Sequence, residues 1–127
     1  MPVSLPPDVS ENATQTPERG KNVLEAASTQ RSAAIAKALG HPARIAILRL
    51  LAERNTCFCG DITEILPLAQ STLSQHLKAL KKSGIIKGEV DGVRTCYCLD
   101  KEVVEEFREL FTGFLEEITN TTNEECC

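Results

Sequence analysis

Several things are missing from this 127-residue chain, and each absence removes a class of function. No apolar run approaches the roughly 20 residues that a membrane-spanning helix needs, so no membrane association is expected. The opening residues, MPVSLPPDVSENATQ, lack the basic segment followed by an apolar core that marks a secretory signal. The expected location is therefore the cytoplasm, where thiols stay reduced. No glycine-rich loop of the phosphate-cradling kind is present, and the only two histidines are His41 and His76. Acidic residues cluster near the end at helical spacing, which suits a solvated face better than a catalytic pair. The sequence thus predicts no enzyme and requires no cofactor.

What is present is unevenly distributed. The net charge is −4, which by itself argues weakly against a nucleic-acid partner. Residues 37–88, however, carry eight Lys and Arg against three acids, while residues 89–127 carry three against eleven. A basic middle on an acidic protein is the pattern a local DNA-binding face would give, although a solvated charged surface would look the same. Six cysteines are many for an intracellular chain, and they fall as Cys57/Cys59, Cys96/Cys98 and Cys126/Cys127. In a reducing compartment such clusters point to metal binding or redox chemistry rather than a disulfide framework. A lone cysteine in a strand would be only a small hydrophobe, but spaced pairs shift the balance.

Residues 1–16 are rich in Pro, Ser, Thr and Asn and predict a disordered tail. From about Glu18 the pattern turns helical, ending at Gly40, and His41-Pro42 opens the next helix with proline in its harmless first turn. Ile45, Ile47, Leu48, Leu50 and Leu51 make that helix the most apolar in the chain and the expected centre of the core. A short helix is predicted over Asp61–Leu66, stopped by Pro67, with another beginning near Ala69 or Gln70. A turn of three or four residues between two helices is helix-turn-helix spacing.

At 100° per residue the second of these helices has two distinct faces. Leu73, Leu77 and Leu80 share one; Ser71, Thr72, Gln75, Lys78 and Lys82 occupy the other. Small and amide side chains near the start suit base edges, and lysines further along suit phosphates. An amphipathic surface helix would share this pattern, but the sequel favours DNA. Gly84 caps the helix, Ile85-Ile86 starts a strand, and Asp91-Gly92 between Val90 and Val93 is a strong hairpin signal. The expected fold is mainly α: a winged helix-turn-helix with a two- or three-stranded β-wing, in which Lys87 and Arg94 meet the DNA backbone or minor groove. The last helix should run from Asp100 to about Thr119. Its stripe of Val103/Val104, Phe107, Leu110/Phe111, Phe114/Leu115 and Ile118 is wide enough to favour a homodimer interface between terminal helices. Residues 17–119 then form one DNA-binding and dimerisation domain, and 120–127 a flexible tail ending in vicinal cysteines.

The segments ALGHPARIAILRLL and STLSQHLKALKKSGIIKGEVDGVR closely resemble the ArsR/SmtB family of metal-responsive winged-helix repressors, over roughly residues 30–118. The strongest marks are His41-Pro42-x-Arg44 and Ser74-x-His76-Leu77-x-x-Leu80. The resemblance implies a homodimer that binds a palindromic operator and releases it when a metal binds. Ala69 departs from it, standing where the family often has a capping Ser. A zinc site on the last helix, as in some members, is rejected because that helix has no histidine. Arsenic-responsive members carry Cys-x-Cys-x-x-Cys at the start of the motif; Cys57 and Cys59 match it, and Ile62 replaces the third cysteine.

Further sulfur must therefore come from elsewhere. If the segment before the motif pairs with the wing, strand alternation sets Cys57 and Cys59 on one face with Phe58 opposite, and Cys96 and Cys98 likewise with Tyr97 opposite. All four sulfurs then face one side as ligands, with Cys126 and Cys127 as the competing source. The expected inducer is arsenite or antimonite. Cadmium, lead or zinc on four thiolates comes next, and reversible thiol oxidation third.

Overall fold

The computed structural model describes residues 17–91 and 94–120. Five helices and three strands follow one another: α1 (Pro17–Glu25), α2 (Ala27–Ala38), α3 (Pro42–Glu53), β1 (Cys57–Cys59), α4 (Gln70–Ser83), β2 (Ile86–Asp91), β3 (Arg94–Leu99) and α5 (Lys101–Thr119), with a 3-10 turn over Ile62–Glu64. The strands form one antiparallel sheet in the order β1-β3-β2. Gly92, Val93 and the expected tails, apart from Asn120, lie outside the described residues.

Two compact units emerge, one of residues 34–105 and one of 17–33 with 106–120. The core of the first is Ile47, Leu50 and Leu51 from α3, Ile62, then Leu73, Leu77 and Leu80 from α4, and Ile85 and Ile86. Each helix contributes the residues that its periodicity places on one face. Ile45 is the exception to the expected α3 core, being 42% exposed. It sits two positions before Ile47, about 200° round the helix, and so points away from the buried side.

Two elements differ from the sequence expectation. The continuous helical pattern from Glu18 is interrupted at Ala26, where the Gln30 side-chain amide donates to the Leu24 carbonyl at the end of α1. The helix expected over Asp61–Leu66 is a single 3-10 turn, capped by the Asp61 carboxylate accepting from the Thr63 N–H at 3.0 Å. Between Gly60, with φ of +142°, and Pro67 there is room for little more than one turn. Ile62 nevertheless occupies the core, 2% exposed, at the position where a third cysteine was sought.

The smaller unit exposes large apolar side chains, Val23, Leu24, Phe114, Leu115 and Ile118 among them. Along α5 the rings of Phe107, Phe111 and Phe114 contact in succession, with centroids 4.7 and 5.8 Å apart. Yet no residue of α5 is buried, and Phe114, Leu115 and Ile118 are each close to half exposed. Arg31 of α2 holds Glu106 through two 3.0 Å bonds, the fork geometry that arginine makes with carboxylates. No helix among the described residues is long and apolar enough to cross a membrane.

Candidate nucleic-acid interface and thiol cluster

The exposed polar face of α4 is set by its phase. Leu73, His76, Leu77, Leu80 and Ser83 are buried, which leaves Ser71, Thr72, Gln75, Lys78 and Lys82 exposed on the other side. The helix starts without a side-chain cap, as Ala69 implies, and ends on Gly84 in the left-handed conformation at φ of +89°. Ser83 closes the end from within, donating to Leu80 O and accepting from Ile85 N. Lys87 is exposed on β2; Arg94 begins β3, opposite Asp91.

His76 is the residue that periodicity alone did not interpret. It is 93% buried within the reading helix, and its Nδ1 accepts from Arg44 Nε at 3.1 Å. Arg44 also donates from one terminal nitrogen to the carbonyls of Lys37 and Ala38, at 3.2 and 3.3 Å. His41 lies against the His76 ring with centroids 4.4 Å apart, while its own Nδ1 accepts from the Ala43 N–H and caps α3. The two sequence marks, His-Pro-x-Arg and Ser-x-His-Leu, are thus one constellation that fastens α4 to α3 and to the end of α2. Burial, then the neighbouring His41 and the Arg44 charge, push the His76 pKa below the ordinary histidine value. It is therefore held neutral, with its proton on Nε2, an atom that has no hydrogen-bond partner among the described residues.

The sheet brings the cysteines together. Cys57 faces Cys98, Phe58 faces Tyr97 and Cys59 faces Cys96. Leu99 N–H donates to Thr56 O at 2.7 Å, so by strand alternation both cysteine pairs fall at non-hydrogen-bonded positions, where backbones approach most closely. Their Cα atoms are 4.0 Å apart in each pair, and both pairs are closed as disulfides. Phe58 and Tyr97 pack against the core, so all four sulfurs lie on the opposite side of the sheet, with Cys57 and Cys59 exposed.

The strand β1 that carries two of them is aimed by a left-handed pair, Asn55 and Thr56, at φ of +63° and +75°. Neither residue type nor the three-residue length of β1 makes that strand obvious from sequence. Lys87 pairs with Cys98 across the other side of β3, so one row of the sheet reads Cys57, Cys98, Lys87 on a single face. The row beneath reads Phe58, Tyr97, Gly88, and a Cβ at Gly88 would lie 2.5 Å from the Tyr97 ring. Cys126 and Cys127 lie outside the described residues.

A helix whose buried side is locked to the core and whose polar side is open, followed by a β-hairpin, makes this a winged-helix DNA-binding transcription regulator. Residues 41–87 match the family model described as "Bacterial regulatory protein, arsR family". An uncharacterised helix-turn-helix transcriptional regulator of Methanocaldococcus jannaschii is 42% identical over 64% of this chain and 91% of its own length. The arsenical resistance operon repressor of Bacillus subtilis is 42% identical over 54% of this chain and 65% of its own. The cadmium resistance transcriptional regulatory protein of Listeria innocua is 31% identical over 79% and 84%. A solved ArsR-family transcriptional regulator shares the fold at a TM-score of 0.61 and 20% identity, covering 73% of this chain and 95% of that one. The chain belongs to the arsR family of bacterial regulatory proteins.

Proposed function

We propose that this protein is a repressor that leaves its operator when reduced Cys57, Cys59, Cys96 and Cys98 take up a thiophilic ion, with trivalent arsenic or antimony first. The observation that carries this is the convergence of four cysteines on one open face of the sheet, in the same row as the wing residue Lys87. Soft thiolates select soft ions, and no histidine lies on that sheet. The arsenical repressor of Bacillus subtilis supports the choice among such ions, and the cadmium regulator of Listeria innocua supports cadmium, ahead of lead or zinc, as the alternative.

DNA is contacted by Ser71, Thr72 and Gln75 at base edges and by Lys78, Lys82, Lys87 and Arg94 at phosphates. The protein acts in the cytoplasm as a homodimer on a palindrome, joined through the exposed apolar stripe of α5, with half-sites one helical turn apart or a multiple of it. Thiolates drawn toward an ion on this face move β1 and β3. β3 carries Arg94 and pairs with Lys87, while β1 leads through Gly60 into the turn that precedes α4. Release is then a linkage: the ion favours the dimer geometry that DNA does not.

A second reading has its own observation, the closure of both pairs as disulfides. Here a thiol oxidant removes two electrons and two protons per pair, and the disulfides themselves switch DNA binding. A gel shift of the reduced protein on its operator, with and without arsenite and repeated for Cys57→Ser and Cys96→Ser, separates the two. Arsenite should release the parent protein and not the variants. Release by diamide with no response to arsenite, cadmium or antimonite gives the redox reading instead.

A further inference from the structure

We infer that the thiol face holds two independent dithiol sites, Cys57 with Cys98 and Cys59 with Cys96, and that each takes a trivalent arsenical or antimonial through two sulfurs, leaving its third substituent in place. This rests on the reading of these cysteines as a ligand site and specifies its coordination. The ligand class that fits best is the monosubstituted trivalent arsenical, which has only two positions to exchange.

The geometry argues against one shared ion. Thiolates on a common soft ion lie at bond lengths near 2.3 Å, so their sulfurs are at most about 4.6 Å apart. Within each pair the Cα atoms are 4.0 Å apart, and the side chains rise together from the same face. Two parallel thiolates across that gap form a ready chelate. Along a strand, residues two apart are separated by roughly 6.7 Å, and diagonal partners across strands by about 7–8 Å. A three- or four-thiolate site must therefore draw sulfurs together along the strand. Two-sulfur ligation needs no such movement.

The chemistry balances without oxidation or reduction at arsenic. Each disulfide must first be opened by a phosphine or dithiol reductant, which supplies two electrons while water or the dithiol supplies two protons. Arsenous acid then exchanges two As–O bonds for two As–S bonds, and the departing hydroxides leave as two waters with the thiol protons. A phenylarsenic(III) oxide exchanges its single oxygen for both sulfurs and releases one water. In every case arsenic stays trivalent.

The test is a titration of the full-length, phosphine-reduced chain with phenylarsine oxide, counting residual thiols and the mass of the adduct. Cys126→Ser/Cys127→Ser is the background, so that the terminal pair is silent. Two adducts per chain are expected, one for Cys57→Ser/Cys98→Ser, which keeps the facing pair 59/96. The crossed variant Cys57→Ser/Cys96→Ser keeps only the diagonal 59/98. It has the same number of thiols yet should bind roughly 100-fold more weakly, since the chelate is lost.

One adduct per chain that leaves two thiols free overturns the proposal, and so do equal affinities in the crossed and facing variants. A tryptic digest of the parent adduct, in which facing pairs link the peptide with Cys57 and Cys59 to the peptide with Cys96 and Cys98, decides the matter even if a variant fails to fold. Two adducts that leave operator binding unchanged would uphold the paired sites while removing their role in release.

Discussion

Arg44 offers the sharpest energetic test of how the reading helix is held. Replacing it with alanine removes the 3.1 Å bond to buried His76 and the bonds to the Lys37 and Ala38 carbonyls. Hydrogen bonds involving a charged group contribute about 1.5–3 kcal/mol each, but three made by one side chain are not additive, and two of them are weaker for their length. A net loss of about 2–3 kcal/mol is the consistent value. With a urea m-value of roughly 1.5–2 kcal/mol/M, that lowers the midpoint by about 1–2 M. The measurement belongs under reducing conditions at fixed protein concentration, so that neither disulfides nor assembly shift the baseline.

A double-mutant cycle with His76→Ala should return a coupling of about 1–2 kcal/mol, because Arg44→Ala leaves the buried His76 Nδ1 without its donor and His76→Ala leaves Arg44 Nε without its acceptor. Titration adds a second signature. His76 has a folded-state pKa below its unfolded value, so the unfolded chain takes the proton first. Its contribution is complete above about pH 6.5 and falls away as the pH drops toward the folded value, with a slope of at most about 1.4 kcal/mol per unit. His76→Asn keeps an acceptor for Arg44 without a titrating ring, and should flatten the stability profile below about pH 6.5. An Arg44→Ala loss below about 0.5 kcal/mol, or an unchanged profile in His76→Asn, would show that the constellation does not hold α4.

Three further outcomes follow from named contacts. Gly88→Ala sets a methyl against the Tyr97 ring, which is backed by the core, and should cost about 1–3 kcal/mol in a denaturant melt. Lys78→Gln and Lys82→Gln should weaken operator binding and each flatten the plot of log affinity against log salt by about one, whereas Gln75→Ala should erode discrimination between operators. Phe114→Glu together with Ile118→Lys should give a monomer by sedimentation, with the helical circular dichroism of 34–105 retained.

The sequence by itself determined the helix-and-hairpin half of this protein. A 3.6-residue period divides α4 into buried leucines and open polar residues wherever the helix is placed. Gly84 stops that helix because only a residue without a side chain takes a left-handed cap freely. The Asp91-Gly92 signal announced a hairpin before any contact was known, and β2 and β3 do pair, with Asp91 opposite Arg94 rather than in the register of a two-residue Asp-Gly turn. Local rules sufficed because each depends on residues within a turn or two of one another.

Tertiary structure decided what depends on distant residues. His76 reads as one more polar position until Arg44, 32 residues earlier, reaches its ring. Ile62 reads as a missing cysteine until the turn around it buries the side chain in the core. The cysteine pairs carried the correct alternation, but nothing local could say that β1, three residues long, would choose β3 and bring Cys57 within 4.0 Å of Cys98. That pairing comes from packing Phe58 and Tyr97 against one core, a choice made by the whole unit rather than by either strand.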